Sequence, residues 1–148
     1  MPKIGGSMAV IILVVDDSLP MRSVIIKTIK VSGYGSANFL QASNGREAMR
    51  TLGNEWVDLV ITDYNMPDMD GMELISEMKR DETLRCIPVL VVTTEGSRTR
   101  VEEFIQKGAA GYIQKPFTPE VIRTKLNNIL GEIKDEESVE SRNEELDF

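Results

Sequence analysis

Histidine is missing from this chain of 148 residues, and cysteine occurs once, at Cys86. Without histidine there is no Ser-His-Asp or Cys-His nucleophile system, no imidazole zinc ligand and no internal phosphohistidine. A lone cysteine cannot close an internal disulfide, which fits a reducing compartment. Aromatic residues make up only 5% of the chain, and no basic stripe accompanies them. Both the stacking series and the cationic track of a nucleic-acid binder are therefore absent. The longest apolar run, Met8 to Val15, has eight residues, against about 20 for a bilayer-spanning helix. Lys3 precedes that run as in a signal peptide, but Asp16-Asp17-Ser18 follows instead of a small-residue cleavage site. The expected location is the cytoplasm, with no membrane insertion and no nucleic acid as partner.

What is present points to one domain. With 41% hydrophobic and 28% charged residues, the chain can bury one good core and is too short for two. The net charge of −7 is unevenly placed: residues 132–148 hold eight acids against Lys134 and Arg142, leaving the rest nearly neutral. We divide the chain into a leader or expression scar at 1–7, a folded domain at 8–131 and an acidic C-terminal tail at 132–148. The tail has the composition of a solvated, disordered segment. Its Ile133, Val139, Leu146 and Phe148 are the residues that could dock on a partner or on the domain.

Hydrophobic periodicity alternates between two patterns. Strand-length apolar runs occur at Val10 to Val15, Ala37 to Ala42, Val57 to Ile61, Val89 to Val92 and, weakly, Gly111 to Ile113. The strongest are apolar on successive residues, as strands covered on both faces are. Between them lie helical stripes: Met21, Val24, Ile25 and Ile29 behind Ser18 and Pro20; Arg46 to Leu52 behind Asn44-Gly45; Leu74, Ile75 and Met78 behind the capping pair Asp70 and Glu73; Val101, Phe104 and Ile105 before Gly108; and Ile122, Leu126, Ile129 and Leu130 behind Thr118-Pro119. Trp56 is expected to pack beside the third strand, and the eight methionines to fill the core. This alternation predicts an α/β fold: a five-stranded, doubly wound parallel sheet, (βα)5, with helices on both faces.

In such sheets, sites form beyond the carboxyl ends of the strands. The first run ends at Asp16-Asp17, the third at Asp63, the fourth at Thr93-Thr94 and the fifth near Lys115. Taken singly, each has a plainer role: an aspartate as a helix cap, a threonine satisfied at a strand end, a lysine in solvent. Jointly they place three acids, a hydroxyl and an ammonium on one rim. Crowded carboxylates are relieved by protonation or by a cation, and an all-oxygen set suits Mg2+. A phosphoryl group could share that metal, with Lys115 offsetting charge and Asp63 as the nucleophile. Asp68 and Asp70 read as turn and capping residues.

Four segments in this order, V-V-D-D-S, I-T-D-Y-N-M-P-D-M-D-G, V-V-T-T-E and G-Y-I-Q-K-P-F, each after an expected strand, resemble the bacterial response-regulator receiver domain, and within it the stand-alone, CheY-like chemotaxis branch. The resemblance covers Ile11 to Leu130 and implies the flavodoxin-like form of the fold. It implies Asp63 as phosphoacceptor, with Asp17 and Asp63 holding Mg2+ directly, Asp16 acting through water and Asn65 giving its backbone carbonyl. It also implies Thr93 bonding the phosphoryl oxygens, Lys115 pairing with them beside a cis bond to Pro116, and Tyr112 as the switch aromatic. Asn65 and Glu95 would tune the dephosphorylation rate. Thr94 departs from the alanine frequent there in the family. The implied partners are a histidine kinase as phosphodonor, an output protein such as a flagellar motor switch protein, and a phosphatase.

The function expected is thus a single-domain phosphorylation switch in chemotaxis signalling, not an enzyme with turnover. With no DNA-binding or catalytic pattern after Gly131, its output would be contact with another protein. The rivals are a phosphorelay intermediate, a haloacid-dehalogenase-like phosphatase and an inert receiver scaffold. The phosphatase is disfavoured because Asp63-Tyr64-Asn65 lacks the second acid of D-x-D.

Overall fold

Each of the apolar runs becomes a strand: β1 (Ile11–Val15), β2 (Asn38–Ala42), β3 (Leu59–Thr62), β4 (Val89–Thr93) and β5 (Gly111–Gln114). They form one parallel sheet in the order β2-β1-β3-β4-β5. The computed structural model describes residues 9–131. The expectations for the leader at 1–7 and the acidic tail at 132–148 concern residues outside that range.

The helices are α1 (Leu19–Ile29), α2 (Gly45–Asn54), α3 (Gly71–Arg80) and α4 (Arg98–Gln106), with α5 over 119–131. Their starts follow the capping residues. Ser18 Oγ accepts from the Met21 N–H at 3.2 Å, and Asn44 Oδ1 from the Glu47 N–H at 2.8 Å. Asp70 and Glu73 close a reciprocal capping box, at 2.9 and 3.0 Å. Ser97 Oγ caps α4 through the Arg100 N–H at 3.2 Å. Such side chains satisfy N–H groups that the first helical turn leaves without partners. Beyond α1, the chain continues as a π-helical turn, Lys30–Tyr34, ended by Gly33 at φ 116°, a left-handed conformation that glycine adopts without a Cβ clash.

Alternate residues of the central strands enter two separate cores. Leu13, Val15, Val60, Val89 and Val91 meet Ala48, Leu52, Leu74, Ile75, Met78 and Phe104 from α2, α3 and α4. Ile12, Val14, Leu59, Ile61, Leu90 and Val92 meet Ile25, Ile29, Ile122, Leu126 and Leu130 from α1 and α5. Burial on both faces is why these strands are apolar without alternation.

Four expectations are corrected. Val24 and Ile105 are 52% and 49% exposed: each lies beside a residue that does face the sheet, Ile25 or Phe104, and about 100° further round the helix it looks outward. Trp56 does not pack on the third strand; it is 44% exposed, and its indole N–H donates to Asp58 Oδ1 at 3.2 Å, a polar handle that holds the ring at the surface. Among the described methionines only Met78 is fully buried, while Met21, Met49, Met66, Met69 and Met72 sit at the core margins.

Ile61 is fully buried in β3 between two neighbouring strands. Ile61→Ala is expected to cost about 2–5 kcal/mol through lost burial and a residual cavity. In urea denaturation the midpoint should fall with little change in slope.

Candidate functional site

The sheet order reverses beside β1, where β2 lies on one side and β3 on the other, and the crevice at such a reversal is where open α/β sheets bind ligands. The residues leaving β1, β3 and β5 meet there, with the end of β4 between β3 and β5. Asp63 leaves β3 with its N–H donating to the Val15 carbonyl at 2.9 Å. The Asp16 N–H donates to the Ala42 carbonyl at 3.1 Å, and the Lys115 N–H to the Thr93 carbonyl at 2.8 Å. These main-chain bonds continue the ladder one residue past the strands and so aim the side chains.

Asp16, Asp17 and Asp63 each bring a carboxylate oxygen within 4.8 Å of the others. Lys115 Nζ lies 3.3 Å from Asp16 Oδ2 and 3.6 Å from Asp63 Oδ2. Asp16 is buried and Asp17 exposed, so the group opens to solvent on one side only. Asp16 Oδ1 also accepts the Ser18 N–H at 2.9 Å, and Asp63 Oδ1 accepts the Tyr64 N–H at 2.7 Å. Arg22 Nη1 donates to the Asp16 carbonyl. Oxygen donors alone, on one open rim, fit a hard divalent cation such as Mg2+ that keeps part of its water.

Burial pushes the Asp63 carboxyl above the usual carboxylate range. The Lys115 ammonium and the Tyr64 N–H oppose this, and Asp16 and Asp17 add to it. Thr93 is buried, its hydroxyl accepting the Glu95 N–H at 3.1 Å. The Lys115-Pro116 bond is cis.

Comparison with known proteins decides the family. Residues 12–127 match the model of the response regulator receiver domain. The chain belongs to the response-regulator receiver family. It is CheY-like: 40% identical to the chemotaxis protein CheY1 of Helicobacter pylori, over 81% of this chain and 96% of that protein. It is 41% identical to the CheY homolog of Campylobacter jejuni, over 81% and 92% respectively. Among solved structures, chemotaxis protein CheY4 of Vibrio cholerae superposes with a TM-score of 0.73 at 32% identity, covering 82% of this chain and 98% of that one. The fold is the flavodoxin-like one expected from the sequence, and no helix among the described residues is long and apolar enough to cross a membrane.

Within this receiver, Asp16, Asp17, Asp63 and Lys115 are brought together. Thr93 stands at the end of the neighbouring strand β4, and Glu95 follows on the loop. Asn65 is exposed in the loop after β3. Tyr112 is half-buried on β5, packed at the margin of the α2, α3 and α4 core, with Lys125 Nζ 6.0 Å from its ring centroid. Three contacts escape sequence reasoning because they join distant segments. The Tyr64 ring lies 5.4 Å from that of Phe104 and 4.9 Å from the Arg100 guanidinium carbon. The Gln114 amide lies over Gly96, 2.4 Å from where a Cβ would stand, so a side chain there would have to displace that amide. A Cβ on Gly71 would lie 2.4 Å from the Asp63 carbonyl oxygen, so only glycine lets α3 begin this close to the rim.

The raised Asp63 value has a thermodynamic consequence. The folded protein holds this proton more tightly than the unfolded chain does. Its contribution is therefore present below the ordinary aspartate pKa and is lost as pH rises through the raised folded value. Asparagine cannot titrate. In metal-free buffer, the stability of Asp63→Asn relative to wild type should increase as pH rises through that window. Chemical denaturation at acid and neutral pH checks this, and parallel pH profiles would contradict it.

Proposed function

We propose that this receiver is a phosphorylation-dependent switch with Asp63 as its acceptor. One observation carries the reading: three carboxylates and an ammonium from separate strand ends converge on one open rim. A carboxylate oxygen of Asp63 attacks the phosphorus of a phosphohistidine on a histidine kinase. The P–N bond breaks, and its electron pair leaves on the imidazole nitrogen, which takes up a proton. Lys115 pairs with the phosphoryl oxygens from its place beside Asp63. Asp17 and Asp63 would hold Mg2+ directly, Asp16 through water, and Asn65 through its backbone carbonyl. When bound, the ion offsets charge on the transferring oxygens.

The new dianion rearranges its surroundings. Thr93 releases the Glu95 N–H and turns its hydroxyl to the phosphoryl oxygens, and the Tyr112 ring follows inward. A two-state surface biased this way can be read by another protein. A cavity of about 290 Å3 beside the ring, lined by Tyr112, Pro116, Phe117, Val121 and Lys125 among others, supports an output face there. The relatives are named as chemotaxis proteins, which supports chemotaxis signalling; the location we propose is the cytoplasm and the output partner a flagellar motor switch protein. Asn65 and Glu95 set the lifetime of the modification, and a phosphatase partner would act at the same rim. The exposed amide at position 65 offers no general acid for turnover, which supports a switch over a phosphatase.

Acetyl phosphate with Mg2+ should add one phosphoryl group to the wild type by intact-mass spectrometry, labile to hydroxylamine. Asp63→Asn should add none, and chelation of Mg2+ should abolish the wild-type product. Equal labelling of Asp63→Asn would overturn the assignment.

A further inference from the structure

We infer that Arg100 is a positioning residue for Asp63, acting through Tyr64; this rests on the acceptor role proposed for Asp63. Tyr64 works at both ends. Its backbone N–H donates to Asp63 Oδ1 at 2.7 Å, and its carbonyl accepts the Gly71 N–H at 2.9 Å. Its ring is held by two residues one turn apart on α4: Phe104, tilted at 59° and fully buried, and Arg100, with its guanidinium over the ring.

Arg100 is not there merely to fill space. Its Nε is, among the described residues, the one buried side-chain polar atom with no hydrogen-bond partner. A desolvated N–H is costly when it faces nothing, and an apolar side chain would cover Phe104 and Tyr64 without that cost. The ring face of Tyr64, 4.9 Å from the guanidinium carbon, attracts a cation and can accept an N–H. The other end of the guanidinium is held on the helix, with Nη1 2.7 Å from Glu103 Oε1, and the Arg100 N–H is tied to the Ser97 cap at 3.2 Å. The guanidinium thus fixes Tyr64 to the first turn of α4. A shift of that turn is transmitted to the N–H that orients the Asp63 carboxylate. By reciprocity, a phosphoryl group on Asp63, which alters that N–H bond, loads the α4 turn.

The test pairs a spectroscopic signature with a rate, on the full chain. In proton–nitrogen correlation spectra the Arg100 Nε–H should exchange slowly and resonate upfield under the Tyr64 ring, and Tyr64→Leu should abolish that shift. Acetyl phosphate with Mg2+ should move the resonance in the wild type and leave it in place in Asp63→Asn. Arg100→Met, which keeps length and removes the cation, should slow phosphorylation about fivefold while keeping the folded spectrum. An Nε–H at the solvent-exposed position and indifferent to Tyr64→Leu, or a wild-type rate in Arg100→Met, overturns the inference and leaves the acceptor role standing. A wild type that takes up no phosphoryl group overturns both.

Discussion

The site depends on one ammonium held among like charges. Asp16, Asp17 and Asp63 crowd their carboxylates at the end of the sheet, an arrangement whose mutual repulsion opposes the fold unless a cation relieves it. Lys115 reaches two of the three from the far side of the sheet. Its strand, β5, is separated from β1 by β3 and β4, so the ion pairs tie the last strand to the first across the rim. The rest follows from keeping those groups in register: parallel strands ending at one level, helices turning away just behind them, and main-chain bonds that continue past the last ladder residue.

Much of this could be read from the chain. The central strands were legible because both faces are covered, leaving unbroken apolar runs. β2 and β5 were fainter because they are edge strands with partly exposed residues, whose composition is set by solvent as much as by packing. The helix starts at Ser18, Asn44 and Asp70 were legible because capping is local. The acids, Thr93 and Lys115 were legible because a strand end in a parallel sheet is a place, not merely a position. Val24, Ile105 and Trp56 were misjudged because hydrophobicity says that a side chain would gain from burial, not that a neighbour has left it room. The contacts of Arg100 with Tyr64 and of Gln114 with Gly96 carry no sequence signal, since they are set by how two elements meet.

The two cores differ in what they can report. The buried residues of the one under α1 and α5 are all aliphatic, and its polar links to the acids, from Ser18 and Arg22 to Asp16, lie at the start of α1. The other contains Phe104 and abuts Tyr64 and Tyr112, so aromatic rings with polar ends lie between the acidic rim and α4. The aromatic contacts nearest the rim therefore lie on the face of the sheet that holds α2, α3 and α4.

The contact of Gly71 with the Asp63 carbonyl gives the rim unequal walls. On the β3 side, the space between Gly71 and the Asp63 carbonyl is too small for even a methyl group, and the capping box locks the helix directly behind. On the β4 side, the loop rests on a threonine hydroxyl and on a long contact of 3.4 Å from the Gln114 amide to the Thr94 carbonyl. A group too large for the hollow cannot push equally in both directions. The stiff wall acts as an anvil, and displacement is delivered almost entirely into the yielding one.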